Sequence, residues 1–234
     1  IFAGIVAGGC GSRVKSAVIP KQFIEIGGVT VIIRTVRAFL AVEEIDMVYV
    51  GIKPDWHDYT DELFERFGID KERVRVIDGG ADRNGTVMNI AEAIVAEHGE
   101  NEGDIILTHD AVRPFVTEKI IRDNISAMAK HSACGTYMPA ADTIIRSDGE
   151  KVRETLNRSE LYQAQTPQTF RLGDLRRNYY SLIEEQNKKL TDTCSVFTAC
   201  NEDIYLVVGD ALNFKITTDS DLRMANALAE LNEK

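Results

Sequence analysis

Apolar residues along this chain switch repeatedly between a strand-like run and a helical spacing. Residues 1–9, IFAGIVAGG, read as a buried first strand that runs straight into a glycine-rich loop. Val29 to Leu40 has helical spacing, Met47 to Ile52 is a short apolar run, Pro54 to Phe67 is helical again, and Val74 to Ile77 is another strand. The pattern then predicts a helix from about Asn84 to Glu97, a strand from Asp104 to Thr108, and a helix from Thr117, which would cap it, to His131. Such alternation implies crossover connections and an α/β fold: a Rossmann-like, mostly parallel twisted sheet with helices on both faces.

Residues 140–163 break the pattern. Apolar/polar alternation flanks a hairpin signal at Ser147-Asp148-Gly149, yet the stretch offers few large apolar residues for a core. It reads as a protruding β-arm, and a second copy of the chain is the simplest surface for it to lie on, which predicts a homodimer. Beyond the arm the pattern predicts a helix near Leu172–Asn187, a polar turn at LTDTCS, a strand Ile204–Val208, a short strand Phe214–Thr217 and a helix from about Ser220 to the end. No internal repeat or linker interrupts this order, so residues 1–234 read as one domain carrying the arm at 140–163.

Composition narrows the partners. With 234 residues, 44% hydrophobic and 27% charged, the chain can build one substantial core. A net charge of −10 argues against a nucleic-acid surface and for a small anion held by local cations. The four cysteines, Cys10, Cys134, Cys194 and Cys200, have no paired zinc spacing, which predicts reduced thiols and a cytoplasmic protein. No stretch approaches the roughly 20 apolar residues of a membrane helix, and the first strand lacks the basic leader of a signal sequence. Because the chain opens on Ile1 rather than Met, one or two residues are expected to precede it.

Polar residues gather just after the strands, where open α/β sheets form their ligand crevice. Gly8–Arg13, Gly79–Arg83 and His109–Arg113 are therefore expected to face one cleft. In the first loop, Gly8, Gly9 and Gly11 let backbone amides approach an anion, and Arg13 and Lys21 add charge, with Pro20 stiffening the chain beside the lysine. Residue type alone leaves Lys21 equally readable as a solvated charge and Arg83 as an exposed ion pair. Asp110 and Arg113, at the end of a strand, suit a metal-bound phosphate or a polyol hydroxyl, whereas His109 reads as a packing or hydrogen-bonding histidine.

The ordered set AGGCGSR, PKQF, GGADRNGTV, HDAVRPF, ADT, NRSELYQAQTPQTF, LTD and NFKITT resembles the family of cytidylyltransferases that activate sugar and polyol phosphates with CTP. The likeness covers essentially the whole chain, and its specificity lies in eight motifs in order. Within the family the chain looks closer to the D-ribitol-5-phosphate branch, through Tyr162-Gln163, DRNGTVMN, LTDTCSV and ITTDSDLRMANAL, than to the 2-C-methyl-D-erythritol 4-phosphate branch. Ala81, where the latter branch can carry an acidic residue, points the same way.

The resemblance implies roles for matching positions. Ala7, Gly8, Gly9, Gly11 and Ser12 would line the cytosine and triphosphate, Arg13 and Lys21 would grip phosphates, and Gly80, Arg83 and Thr86 would close the nucleotide pocket. Asp110 and Arg113 would face the polyol and a Mg²⁺ held mainly by triphosphate oxygens. Thr143 and Arg158, on the arm, would bind polyol phosphate in the neighbouring subunit, and Thr166, Thr191 and Lys215 would complete the contacts. Arg13, Lys21, Arg158 and Lys215 are the residues the resemblance marks as catalytic.

Two other classes are weaker. A dinucleotide-dependent oxidoreductase calls for a fuller glycine fingerprint and an acidic residue about 20 positions on, and Glu43 and Glu44 lie beyond that spacing. A non-catalytic nucleotide-binding protein would not need the set of cations present here.

Overall fold

The computed structural model describes residues 1–9, 19–187 and 190–232. β1 (Phe2–Val6) is the strand around which the rest is arranged. A small hairpin, β2 (Glu25–Ile26) and β3 (Val29–Thr30), turns at Gly27 and Gly28, both at positive φ (53° and 67°), and leads into α1 (Val31–Leu40). Next come β4 (Met47–Ile52), α2 (His57–Arg66), β5 (Val74–Asp78), α3 (Arg83–His98), β6 (Ile105–Asp110) and α4 (Glu118–Ala127), whose Thr117 hydroxyl accepts from the amide of Ile120 as expected of a cap. β7 (Ala133–Pro139), β8 (Ile145–Ser147), β9 (Val152–Thr155) and β10 (Tyr162–Arg171) follow. The chain closes with α5 (Leu172–Ser181), α6 (Glu184–Asn187), α7 (Cys194–Ala199), β11 (Tyr205–Val208) and α8 (Asp219–Asn232).

Seven strands form one sheet in the order β11-β7-β10-β6-β1-β4-β5. All pairings are parallel except those of β10, which opposes both neighbours. Side chains alternate across β1: Ala3 and Ile5 join the core beneath α1, α2 and α4, while Phe2 joins the one beneath α3, α5 and α7. Both faces of the sheet are thus covered, as the near-continuous apolar strands require.

After β1 the chain runs outward through β4 and β5, then returns to the other side of β1 with β6. That reversal creates a crevice at the carboxyl ends of the strands. Register makes the crevice level, because Val6 pairs with both Gly51 and Asp110 and Ile52 pairs with Asp78.

Several expected elements differ. The helix predicted over Leu172–Asn187 breaks after Ser181, whose hydroxyl bonds to the Asn178 carbonyl, and Leu182 is extended. Residues Phe214–Thr217 form no strand; the segment is tied to the chain after β6 by one backbone bond, Ile216 amide to Val112 carbonyl. Within residues 140–163, β8 and β9 pair as a hairpin, with every residue of both strands exposed and Gly149 at a φ of 102° in its turn. Among the described residues no helix is long and apolar enough to cross a membrane, and Cys134, Cys194 and Cys200 are free thiols.

Candidate active site

A cavity of about 400 Å³ opens at the level ends of β1, β4 and β6. It is lined by Ala7, Gly8 and Gly9, by Lys21 and Lys53, by Gly80 to Arg83, and by Asp110 and Lys215. All three clusters expected to face one cleft contribute to it. Arg13, Gly11 and Ser12 lie outside the described residues.

The loop after β1 is tied from below. The Ala7 amide donates to the Gly51 carbonyl at 2.8 Å and its carbonyl accepts from Gln22 Nε2 at 2.8 Å, so Ala7 shapes the loop and its polar backbone is already committed. Lys21 is buried in a 3-10 turn, Lys21–Phe23, directly after Pro20.

Gly80 presses on the start of α3. A Cβ there would sit 2.3 Å from the carbonyl carbon of Gly85 and 2.6 Å from the Thr86 nitrogen, which only glycine avoids. The Gly80 amide donates to Thr86 Oγ1 at 2.9 Å, and the Thr86 hydroxyl donates to the Asp82 carbonyl at 2.9 Å. Asp82 caps α3 by accepting from the Gly85 amide at 2.7 Å. Thr86 therefore holds the turn that delivers Arg83, with its hydroxyl engaged inside the protein.

Arg83, Arg113 and Lys215 converge on Asp110. Arg83 Nε donates to Asp110 Oδ1 at 2.9 Å, Lys215 Nζ lies 2.8 Å from Oδ2, and Arg113 Nε is 3.7 Å from the same oxygen. Asp110 is only 6% exposed. Burial alone would raise its pKa, but the charges of Arg83, Lys215 and Arg113 outweigh that and hold the carboxyl well below the usual carboxylate range. Burial conversely depresses the Arg113 guanidinium, with Asp110 opposing the shift.

Beneath this cluster, His109 is fully buried. Its Nε2 lies 3.1 Å from the Arg113 carbonyl and so carries the proton, leaving Nδ1 to accept from Thr166 Oγ1 at 2.9 Å. The Thr166 oxygen also accepts from the Asp110 amide at 3.1 Å. Burial lowers the His109 pKa to about 3, so the ring is neutral and structural. Thr166, expected to touch substrate, is instead spent on this support.

Thr191, Thr143 and Arg158 lie away from this chain's own cavity lining. Thr191 is exposed, and it is Thr193 whose hydroxyl accepts from Arg83 Nη1 at 2.7 Å. Thr143 and Arg158 are exposed on the arm and do not line the cavity, and Arg158 donates to the Ala141 carbonyl at 2.8 Å. Lys53 and Gln22 were not anticipated, although Lys53 directly follows the end of β4, where a crevice residue belongs.

Asp110 does not fit as a metal ligand. Both of its oxygens are engaged by cations, and among the described residues no three carboxylate, imidazole or thiol groups cluster to hold an ion. The cluster is chemically a receptor for oxyanions: fixed cations on a buried carboxylate, whose neighbouring histidine is not free to act as a base.

A model of the IspD family, 2-C-methyl-D-erythritol 4-phosphate cytidylyltransferase, matches residues 1–230. The chain belongs to this family. A 4-diphosphocytidyl-2C-methyl-D-erythritol synthase from Anaerococcus prevotii DSM 20548 superposes with a TM-score of 0.82 at 30% identity, over 98% of this chain and 95% of that one. The 2-C-methyl-D-erythritol 4-phosphate cytidylyltransferases of Francisella tularensis (28% identity, TM-score 0.80) and Thermus thermophilus (26%, 0.75) each match 97% of this chain and 98% of their own. The protein is thus a CTP-dependent cytidylyltransferase of the IspD type, and its mostly parallel sheet is that of its relatives.

Proposed function

We propose that this enzyme transfers CMP from CTP to 2-C-methyl-D-erythritol 4-phosphate, releasing pyrophosphate. The observation that carries the choice of acceptor is the match to that family's model over residues 1–230, and relatives bearing that name align along nearly their full length. A second acceptor, D-ribitol 5-phosphate, is favoured by local sequence: Tyr162-Gln163 and the motif LTDTCSV resemble that branch.

The acceptor's phosphate is already an anion. Its oxygen attacks the α-phosphorus of CTP, a new P–O bond forms, the bond to the β-phosphate oxygen breaks, and pyrophosphate leaves with that electron pair. No general base is needed, which suits a site whose histidine is buried and neutral. Catalysis then rests on in-line positioning and on cations that meet accumulating negative charge, with Lys21, Arg83 and Lys215 around the cavity in that role. A Mg²⁺ accompanying CTP would be held by the triphosphate oxygens, since Asp110 is committed to its cations.

The enzyme acts as a homodimer in which the arm at 140–163 brings Thr143 and Arg158 to the neighbour's acceptor phosphate. Exposed apolar side chains along the arm and its root, Ile145, Val152 and Tyr162, support this reading, because they gain from burial against a partner.

Pyrophosphate release with CTP and Mg²⁺, measured separately with each polyol phosphate, tests the proposal. Faster release with methylerythritol phosphate is expected. Release with ribitol phosphate alone would reassign the acceptor, and release with neither would remove both.

A further inference from the structure

We propose that Gln168, buried on β10 away from the cavity lining, is a positioning residue that sets the aim of Arg83 through Thr193, leaving Arg83 Nη2 to bind a phosphate oxygen.

Arg83 has two of its three nitrogens engaged. Nε donates to Asp110 at 2.9 Å and Nη1 to Thr193 Oγ1 at 2.7 Å, which together fix the plane of the guanidinium. Nη2 is buried with no hydrogen-bond partner among the described residues, on a side chain that lines the cavity. A buried cationic donor left unpaired is costly, and a ligand oxyanion is the group that would satisfy it.

Thr193 is itself held rigidly. Its hydroxyl accepts from Arg83 and so gives its proton to Asn84 Oδ1, 3.2 Å away. Its amide, and that of Cys194, both donate to Gln168 Oε1 at 3.1 and 3.2 Å. The other end of the same amide group, Gln168 Nε2, donates to Asp192 Oδ2 at 2.6 Å. Asp192 Oδ1 in turn accepts from the Ser195 amide at 2.9 Å, at the start of α7. Gln168 is 1% exposed and Thr193 also 1% exposed. One buried carboxamide therefore clamps the whole turn from Asp192 to Cys194, and that turn presents the hydroxyl that Arg83 leans on. Glutamate in its place would set two carboxylates together, and methionine would release the turn while keeping the volume.

The proposal rests on the cytidylyl-transfer reading only for the source of the phosphate, so binding is the primary readout. Calorimetry on the full chain would use two ligands in separate arms, CTP and 2-C-methyl-D-erythritol 4-phosphate, with ribitol 5-phosphate as an alternate acceptor. Arg83→Ala is expected to weaken the arm whose phosphate Nη2 holds. In that arm Thr193→Val and Gln168→Met should each weaken binding by about 10- to 100-fold, the range for a lost hydrogen bond to a charged group, and Thr193→Ser should recover it. In the Arg83→Ala background, Thr193→Val should add less than about twofold, because its effect runs through the arginine. Effects that multiply in that background, or an Arg83→Ala protein that binds every ligand as the parent does, would overturn the proposal. Loss of turnover with intact binding by the parent would instead count against the acceptor assignment alone. Should Gln168→Met fail to fold, Gln168→Glu, which sets a carboxylate against Asp192, takes its place in the same arm, and binding equal to the parent's in that variant would overturn the proposal.

Discussion

Lys215 Nζ lies 2.8 Å from one oxygen of Asp110, and Arg83 Nε holds the other at 2.9 Å. The carboxylate is thereby the anchor of the site's cations. Asp110→Asn keeps its shape and removes its charge, leaving Arg83, Arg113 and Lys215 to repel one another in a largely buried space. We expect a loss of about 3 kcal/mol of stability, at the lower end for breaking a buried ion pair, measured by urea denaturation. An unchanged midpoint would show that the cluster does not stabilise the fold.

Acid should weaken the protein in two stages. His109 remains neutral in the folded chain down to about pH 3, whereas an unfolded histidine takes up its proton near about 6.5. The unfolded state thus binds more protons between these values, and stability falls as pH drops through that window. Asp110, held well below the carboxylate range, adds stability that is present above about pH 3.9 and is lost as pH falls from there toward its folded pKa. Replacing His109 with Gln should flatten the upper stage, read from urea midpoints across the acid range.

Gly80→Ala should cost activity and stability together. Its Cβ would meet the backbone of Gly85 and Thr86, which cannot move without shifting the start of α3 and Arg83 with it. A loss of kcat/KM beyond about tenfold is expected from misplacement of that size. Gly103→Ala, where a Cβ meets nothing within 4 Å, is the control.

Lys21→Ala should lower kcat by about 3 kcal/mol of barrier, as for a lost preorganised donor to developing negative charge. Normal turnover with CTP in that variant would remove Lys21 from the reaction.

Replacing residues 144–156 by a short turn should leave the thermal midpoint near that of the parent, since both arm strands are exposed. The shortened protein should be a monomer by gel filtration and inactive with the acceptor. A fully active monomer would end the role of the arm in trans.

Where sidedness and period agreed, the fold was legible. β4 follows its apolar run residue for residue, and Thr117 caps α4 because a threonine before an amphipathic run has that chemistry. β10 was not legible, since YQAQTPQTF has no clean alternation and its Pro167 argues against an interior strand. The sheet accommodates it through a register shift between Ala164 and Gln168. The hairpin at Gly27-Gly28 escaped notice because its strands are two residues each. At the site, residue types after strands pointed to Arg83 and Asp110, and the family resemblance to Lys215, but neither said which groups face inward. Thr166 and Thr86 look like ligand contacts in sequence, and in the structure both hydroxyls are engaged within the protein, Thr166 by partners far along the chain and Thr86 by its own turn at the cavity wall.

Separation along the chain also sets when the site comes into being. The Arg83–Thr193 bond spans 110 residues and the Arg113–Asn213 bond spans 100. Strands β1, β4, β5 and β6 can form early from neighbouring segments, and they carry the glycines and Asp110, yet Lys215 arrives only with the last part of the chain. Until then the cavity has its walls and its anion but lacks a cation that balances it. The site is therefore complete only when the end of the chain is in place, because that segment brings Lys215 to Asp110 and packs Ile216 and Ala225 in the core beside it.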